Sequence, residues 1–250
     1  LKRYVYRLEE KDLWELLAER GIPIHVIRKG PSGVEFATYE PLERLEPLRV
    51  EEVSKSWKEW RSSFGPVEAG DIVILPPWKR VVFIKPGMAF GTGLHPTTRL
   101  CLIALQEFLK EGDTVLDVGT GTGILAIASK ILGAGRVVGI DISEEAVREC
   151  RENACLNGVD VECVLGRPDD LKEVFDLVVA NLDMETFRTA LDAILTLSRG
   201  RFIFSGLYGR KDLEEFTDML LRRGFEPSRI FEEEGWFCVG VGDEGYKETG

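Results

Sequence analysis

The sequence predicts an α/β fold: a seven-stranded, mostly parallel sheet with helices on both faces, preceded by a small N-terminal α+β unit. Three observations carry this expectation. From residue 114 onward, short β-branched and apolar runs alternate with longer segments of helical period, joined by short loops. Such alternation builds parallel sheets covered on both faces. The last two apolar runs, 225–231 and 236–241, have no helix between them and are expected to close one sheet edge as an antiparallel hairpin. The first run of the series, Thr114–Val118, breaks into Gly119, Gly121 and Gly123 and then into an apolar helix start. A strand, a glycine turn and a helix N-terminus make a ligand site, because glycine lets the backbone approach and the helix start offers free N–H groups.

Length and composition bound the rest. The 250 residues suffice for one large α/β domain and a small companion, and 44% hydrophobic content allows a substantial core. A net charge of −11 argues against a chain whose main work is gripping nucleic acid or anionic membrane. It suits a small-molecule ligand and a basic protein partner. The five cysteines contain no C-x-x-C and form no metal-like cluster with the only histidines, His25 and His95. Free buried thiols and no bound metal are expected. No secretory signal is evident and no apolar run nears the roughly 20 residues of a membrane span, so a cytoplasmic monomer is expected.

Taken in order, residues 2–8 read as a strand, 10–19 as a short helix stopped by Gly21, and 22–27 and 34–39 as strands around a Gly-Pro-Ser-Gly turn. This 1–50 unit holds no catalytic constellation, so substrate recognition is its expected role. Residues 51–66 follow as a linker helix with Trp57, Trp60 and Phe64 on one face. The large domain is expected from 67 to 250, opening with a hairpin of 72–75 and 81–84 around Pro76-Pro77-Trp78. Residues 85–98 form a loop rich in glycine and hydroxyls, the composition of a segment that covers a ligand. It leads into a helix at 97–109 with Thr97 or Thr98 at its start. His95 has no second histidine or cysteine beside it, and a structural role is expected.

The regular part then runs strand 114–118, helix 123–133, strand 136–140 ending in Asp141, and helix 143–157 capped by Ser143. Strand 160–165 leads to Gly166–Asp170, strand 175–180 ends at Asn181, and helix 184–197 follows. Strand 201–205 and helix 211–223 precede the final hairpin.

A glycine turn after the first strand is shared by dinucleotide enzymes and methyltransferases. The dinucleotide spacing is G-x-G-x-x-G, with pyrophosphate on the helix N-terminus. Here the spacing is G-x-G-x-G after an acid, Asp117, which suits a cationic amino group and not pyrophosphate. S-adenosylmethionine carries an ammonium, a sulfonium, a ribose and an adenine, and no phosphate. Asp141 can accept both ribose hydroxyls, although the position also suits a helix-start acid. Asp169 or Asp170 can accept the adenine amino group, and Asn181 lies beside the methyl group. A nicotinamide-dependent oxidoreductase is the rival on the same fold.

The segments Ala89-Phe-Gly-Thr-Gly-Leu-His-Pro-Thr-Thr98, Asp117-Val-Gly-Thr-Gly-Thr-Gly-Ile-Leu-Ala-Ile-Ala128, Gly139-Ile-Asp-Ile142 and Val178-Val-Ala-Asn-Leu182, with Trp57, Trp60 and Phe64, resemble the PrmA family, the methyltransferases of large-subunit ribosomal protein eleven. The resemblance spans about 50–241. It implies a Rossmann-like class I methyltransferase that moves methyl groups from S-adenosylmethionine to lysine and N-terminal amines of that basic protein, leaving S-adenosylhomocysteine. It carries cofactor positions to Thr98, Gly119, Asp141 and Asn181. On this reading Phe90, Gly91, Thr92 and Gly93 close over the cofactor, and Phe90 helps form the acceptor channel. Asp117, Gly121, Gly123 and Asp169 complete the cofactor set, and Asn181 holds the amine through its side-chain carbonyl. The alternatives are another protein or small-molecule amine as acceptor, or a non-catalytic cofactor-binding module.

Overall fold

The computed structural model describes residues 2–13, 25–31, 33–38, 41–42, 45–52, 65–76, 78–85 and 87–242. The chain divides into two compact units, Leu1–Lys79 and Arg80–Gly250.

In the first unit, β1 (Lys2–Leu8), β2 (His25–Gly30), β3 (Gly33–Thr38) and β4 (Arg49–Glu52) form an antiparallel sheet in the order β2-β3-β1-β4. Tyr6 and Phe36 stack beneath it and bury Leu13 and Leu42 with them. The Tyr6 hydroxyl accepts the Leu42 amide at 2.9 Å. Strand β4 was not anticipated, because Arg-Val-Glu-Glu has almost no apolar signal. It is held by pairing to β1 and by the Arg3–Glu51 ion pair. Residues 51–52 therefore belong to a strand and not to the linker helix. Residues 10–13 are helical; the rest of that expected helix, residues 22–24, and Trp57, Trp60 and Phe64 lie outside the described residues.

The expected hairpin of 72–75 with 81–84 is not formed. Instead β5 (Val67–Ala69) pairs with β6 (Ile72–Ile74) across Gly70-Asp71, with Gly70 at φ +60°. This hairpin groups with the first unit, and the second unit starts at Arg80, where the sequence had suggested residue 67.

The second unit holds seven strands in the order β12-β13-β11-β10-β7-β8-β9. These are β7 (Thr114–Val118), β8 (Arg136–Asp141), β9 (Glu162–Leu165), β10 (Leu177–Asn181), β11 (Phe202–Tyr208), β12 (Pro227–Glu233) and β13 (Trp236–Val241). Strands β7 to β11 run parallel, and β13 returns antiparallel between β11 and β12. The helices are α1 (Pro96–Phe108), α2 (Ile124–Leu132), α3 (Glu144–Leu156), α4 (Met184–Leu195) and α5 (Gly209–Leu221). The pleat sends alternate residues to opposite faces. On β10, Leu177 and Val179 join Leu105 of α1 and Ala126 of α2, whereas Val178 and Ala180 join Phe187 of α4 and Phe216 of α5. The sheet is therefore apolar on both faces, as its parallel pairing requires.

Ser143 caps α3 as expected, accepting the Ala146 amide at 3.3 Å. The cap of α1 differs: it is His95, whose Nδ1 accepts the Thr97 amide at 3.3 Å, and Thr97 and Thr98 lie within the helix. Pro96 suits the first helical position, where no N–H is needed, and moves the start ahead of the threonines. The expectation of five free thiols is also corrected. Cys150 of α3 and Cys163 of β9 form a disulfide, leaving Cys101, Cys155 and Cys238 free. Their elements pack side by side, a neighbourhood that an irregular cysteine spacing does not reveal. Among the described residues, no helix is long and apolar enough to cross a membrane.

Candidate active site

Strand β7 is flanked by β8 on one side and β10 on the other, so the strand order reverses at its C-terminal end. Open α/β sheets bind ligands at this switch point. A cavity of about 610 Å³ lies there, bounded by the ends of β7, β8 and β10 and by the 88–97 segment. Its size suits a nucleoside-sized ligand.

The glycine turn builds the floor. Gly119 and Gly121 stand at φ +70° and +56°, and both line the cavity. A Cβ on Gly119 would lie 2.5 Å from the Leu182 side chain, and one on Gly121 would lie 2.3 Å from the Phe90 carbonyl oxygen. These positions need glycine for conformation and for clearance. Gly123 instead caps α2 behind the turn, where a Cβ would press on Cys150 at 3.1 Å.

The acids divide between wall and foundation. Asp141, last in β8, lies on the cavity wall; its Oδ2 accepts the Gly121 amide at 3.0 Å and its Oδ1 the Ser143 amide at 3.0 Å. A carboxylate has about four acceptor positions, so capacity remains for two hydroxyls. Asp117 is placed differently from the sequence expectation: it is fully buried under the turn and does not line the cavity. Its Oδ2 accepts the Thr120 hydroxyl at 2.7 Å and the Ala126 amide at 3.1 Å, and its Oδ1 has no partner. Burial pushes its pKa up to about 7; the two hydrogen bonds oppose the rise and the nearby Asp141 charge adds to it. The cause lies in the pleat. Asp117 alternates with Leu116 and Val118 and so faces the α2 side, where Val115 packs.

Asn181 ends β10 on the cavity wall. Leu182 follows, donating its amide to the Ser205 carbonyl at 3.0 Å, and Asp183 caps α4 by accepting the Thr186 amide at 2.8 Å. The Thr186 amide holds the Asp183 carboxyl below its usual range, so it is ionised at neutral pH. Gly206 of β11, at φ +101°, passes this corner so closely that a Cβ would meet the Leu182 carbonyl oxygen at 2.0 Å.

Phe90 overhangs the cavity and is 56% exposed. Its ring meets His95 edge-on at 5.4 Å between centroids, and His95 meets Trp236 at 4.7 Å. Gly91, Thr92 and Gly93 lie behind Phe90 and off the wall; Gly91 anchors the loop by accepting the Thr122 hydroxyl at 2.6 Å. Thr97 reaches the wall, whereas Thr98 is buried with its hydroxyl unpartnered. On the 3₁₀ turn Pro168–Asp170, Asp170 accepts the Arg167 amide at 2.8 Å and Asp169 is exposed; Gly166 and Pro168 form that part of the wall. Sequence reasoning missed Met88, Ile142, Asp183, Gly206 and Trp236. Only Gly206 offered a local signal, as a glycine at a strand end.

The cavity wall carries Asp141, Glu145 and Asp183 and, among the described residues, no lysine or arginine. That charge balance fits a cationic ligand with hydroxyls better than a phosphate-rich one. Fold and site together define a class I S-adenosylmethionine-dependent methyltransferase. The description "Ribosomal protein L11 methyltransferase (PrmA)" matches residues 37–243, and the chain belongs to that family. It is 52% identical over 241 residues to the ribosomal protein L11 methyltransferase of Aquifex aeolicus, covering 96% of this chain and 98% of the relative. It is 38% identical to the Thermotoga maritima protein of the same description, over 88% of each chain. The crystal structure of a ribosomal protein L11 methylase from Lactobacillus delbrueckii subsp. bulgaricus superposes with a TM-score of 0.57 at 32% identity, covering 60% of this chain and 80% of that one.

Proposed function

We propose that this methyltransferase modifies amine nitrogens, lysine side chains and the N-terminal amine, of ribosomal protein L11. The observation that carries the reading is the acidic cavity floored by the glycine turn, with Asn181 at its inner edge and the Phe90, His95 and Trp236 rings at its mouth. The names of the relatives support the choice of acceptor.

Bound S-adenosylmethionine supplies an electrophilic methyl group on its sulfonium. Asp141 would hold the ribose hydroxyls, and the Gly119–Gly121 backbone would lie against the amino-acid portion. Asn181 would accept an N–H of the incoming amine through its side-chain carbonyl, which would turn the nitrogen lone pair toward the methyl group. A lysine with pKa near 10.4 costs about 4–5 kcal/mol to deprotonate at pH 7. The ionised Asp183 attracts the ammonium form, and the apolar Phe90 and Trp236 surfaces penalise it once it is desolvated. Positioning dominates the rate, since orientation alone supplies several kcal/mol.

The separate N-terminal unit, with its own core and no catalytic cluster among its described residues, is the recognition element. A net charge of −11 is in keeping with a basic protein acceptor met free in the cytoplasm, with a monomeric enzyme and no direct nucleic-acid contact.

Incubation with methyl-labelled cofactor and a mixture of ribosomal proteins tests the acceptor. Label is expected on L11, at lysines and the N-terminus by mass spectrometry. Label on another protein with L11 blank would overturn that assignment, and cofactor binding with no label on any amine would favour a non-catalytic module. Removal of residues 1–79 is expected to abolish L11 methylation and retain cofactor binding; full activity of the shortened chain would refute the recognition role.

A further inference from the structure

Glu149 and Asn153 of helix α3 and its C-cap Asn157 follow at intervals of four, a polar row along one face. Residues at this spacing on a surface helix ordinarily meet solvent, yet Glu149 is 9% exposed and Asn153 only 1%. All three are spent on the main chain of the segment that leads to Phe90. The Asn157 amide accepts the Phe83 N–H at 2.7 Å and donates to the Phe83 carbonyl at 2.6 Å. Asn153 accepts the Lys85 N–H at 2.9 Å. The Glu149 carboxylate accepts the Met88 N–H at 2.8 Å and the Ala89 N–H at 3.3 Å. Gly87 lies against that carboxylate so closely that a Cβ would sit 2.2 Å from Oε1.

Asn153 also donates its amide N–H to the Thr122 carbonyl at 2.9 Å. Thr122 in turn donates its main-chain N–H to the Phe90 carbonyl at 3.0 Å and its hydroxyl to the Gly91 carbonyl. One helix face thus joins the covering segment to the glycine turn. Met88, Ala89 and Phe90 on that segment line the cavity, whereas Glu149, Asn153 and Asn157 do not.

We infer that Glu149 and Asn153 are positioning residues for the methyl-transfer reaction: they hold the 85–91 segment over the cavity and so set its affinity for S-adenosylmethionine. The inference rests on the reading of this cavity as the cofactor site. A carboxylate bonded to main-chain amides is a strong tether, and its loss leaves the Met88 and Ala89 N–H groups without that partner. The side chains act through the segment and touch neither the cavity nor the acceptor.

Two readouts test it: the Kd for S-adenosylmethionine by calorimetry, and hydrogen exchange of the Lys85, Met88 and Ala89 amides in the cofactor-free protein. Glu149→Ala is expected to speed the Met88 and Ala89 amides and weaken the Kd about tenfold or more, and Asn153→Ala to speed the Lys85 amide and weaken the Kd in the same direction, with turnover at saturating cofactor changed far less. Glu149→Gln retains a carbonyl acceptor for Met88 and Ala89, and is expected to stay within about threefold of the parent. Glu152→Ala, which removes only an exposed partner of the Lys85 ammonium, is the unaffected control. If Glu149→Ala does not fold, Gly87→Ala displaces the same carboxylate without removing it, and is expected to weaken the Kd in the same direction. Folded variants with parental Kd and parental amide protection would overturn the inference. Failure of the parent protein itself to bind S-adenosylmethionine overturns the cavity reading, and the amide exchange then reports separately on whether the tether exists.

Discussion

Asp141 accepts the main-chain N–H of Gly121 at 3.0 Å, so the acid at the end of β8 is built into the glycine turn at the end of β7. Replacing it with alanine removes a turn contact and, in the proposed mode of binding, the ribose acceptor together. Asp141→Ala is expected to weaken S-adenosylmethionine binding by about 10- to 100-fold in calorimetry. Asp141→Asn keeps one acceptor for Gly121 and is expected to fall between the two. Parental affinity in a folded alanine variant would remove the ribose assignment.

In the proposed mechanism Asn181 bears on the acceptor. Asn181→Ala is expected to leave the cofactor Kd within a few-fold of parental and to lower turnover by about 100-fold, the cost of a misaligned nucleophile. Single-turnover methylation of L11 separates the two effects. Equal losses in binding and turnover would assign Asn181 to the cofactor alone.

Asp117 predicts a pH dependence of stability. In the unfolded chain it titrates near 3.8; in the folded protein burial raises it to about 7. Between those values the folded state holds a proton that the unfolded chain has released. Stability therefore falls as pH rises through that window and levels off above it. Asp117→Asn retains an acceptor for Thr120 and Ala126 and cannot ionise, so urea unfolding of that variant is expected to show a flatter profile between pH 5 and about 8. Parallel profiles for the two proteins would mean that Asp117 is ionised throughout.

The Cys150–Cys163 bridge closes a short loop, with a sequence separation of 13. Loop-closure entropy puts its contribution at up to about 3 kcal/mol, and its reduction is expected to lower the thermal midpoint by up to roughly 10 °C. Calorimetry with and without reductant measures this. Denatured, unreduced protein is expected to titrate three thiols, those of Cys101, Cys155 and Cys238. Five titrated thiols would show that the bridge does not form.

Local signals in the chain were reliable where chemistry and spacing coincide. The run from Leu177 to Ala180 is apolar on both faces, and that from Val115 to Val118 is so apart from Asp117, which identifies interior strands, and the glycines after β7 locate the turn within a residue. Asp141 was found because it ends a strand. Asp117 was legible as an acid beside the glycines, but its direction is a property of the pleat, which turns it toward α2 and away from the cavity. Segment 81–84 has the composition of a strand, yet Phe83 bonds to the side chain of Asn157, and Lys85 just beyond it to that of Asn153, some seventy residues later. No local pattern encodes a ladder made by side chains. Trp236 reaches the mouth because β13 threads back between β11 and β12, a placement visible only once the sheet is assembled.

The outermost place of β12 in that sheet bears on behaviour at high concentration. An open sheet edge is a template on which a further chain can add, and uninterrupted apolar edges grow into aggregates. Strand β12 begins with Pro227, which has no N–H to offer, and carries Arg229, Glu232 and Glu233, with Glu233 tied to Arg99 of α1. The opposite edge, β9, has four residues. Both rims are thereby poor templates on which a further strand could add.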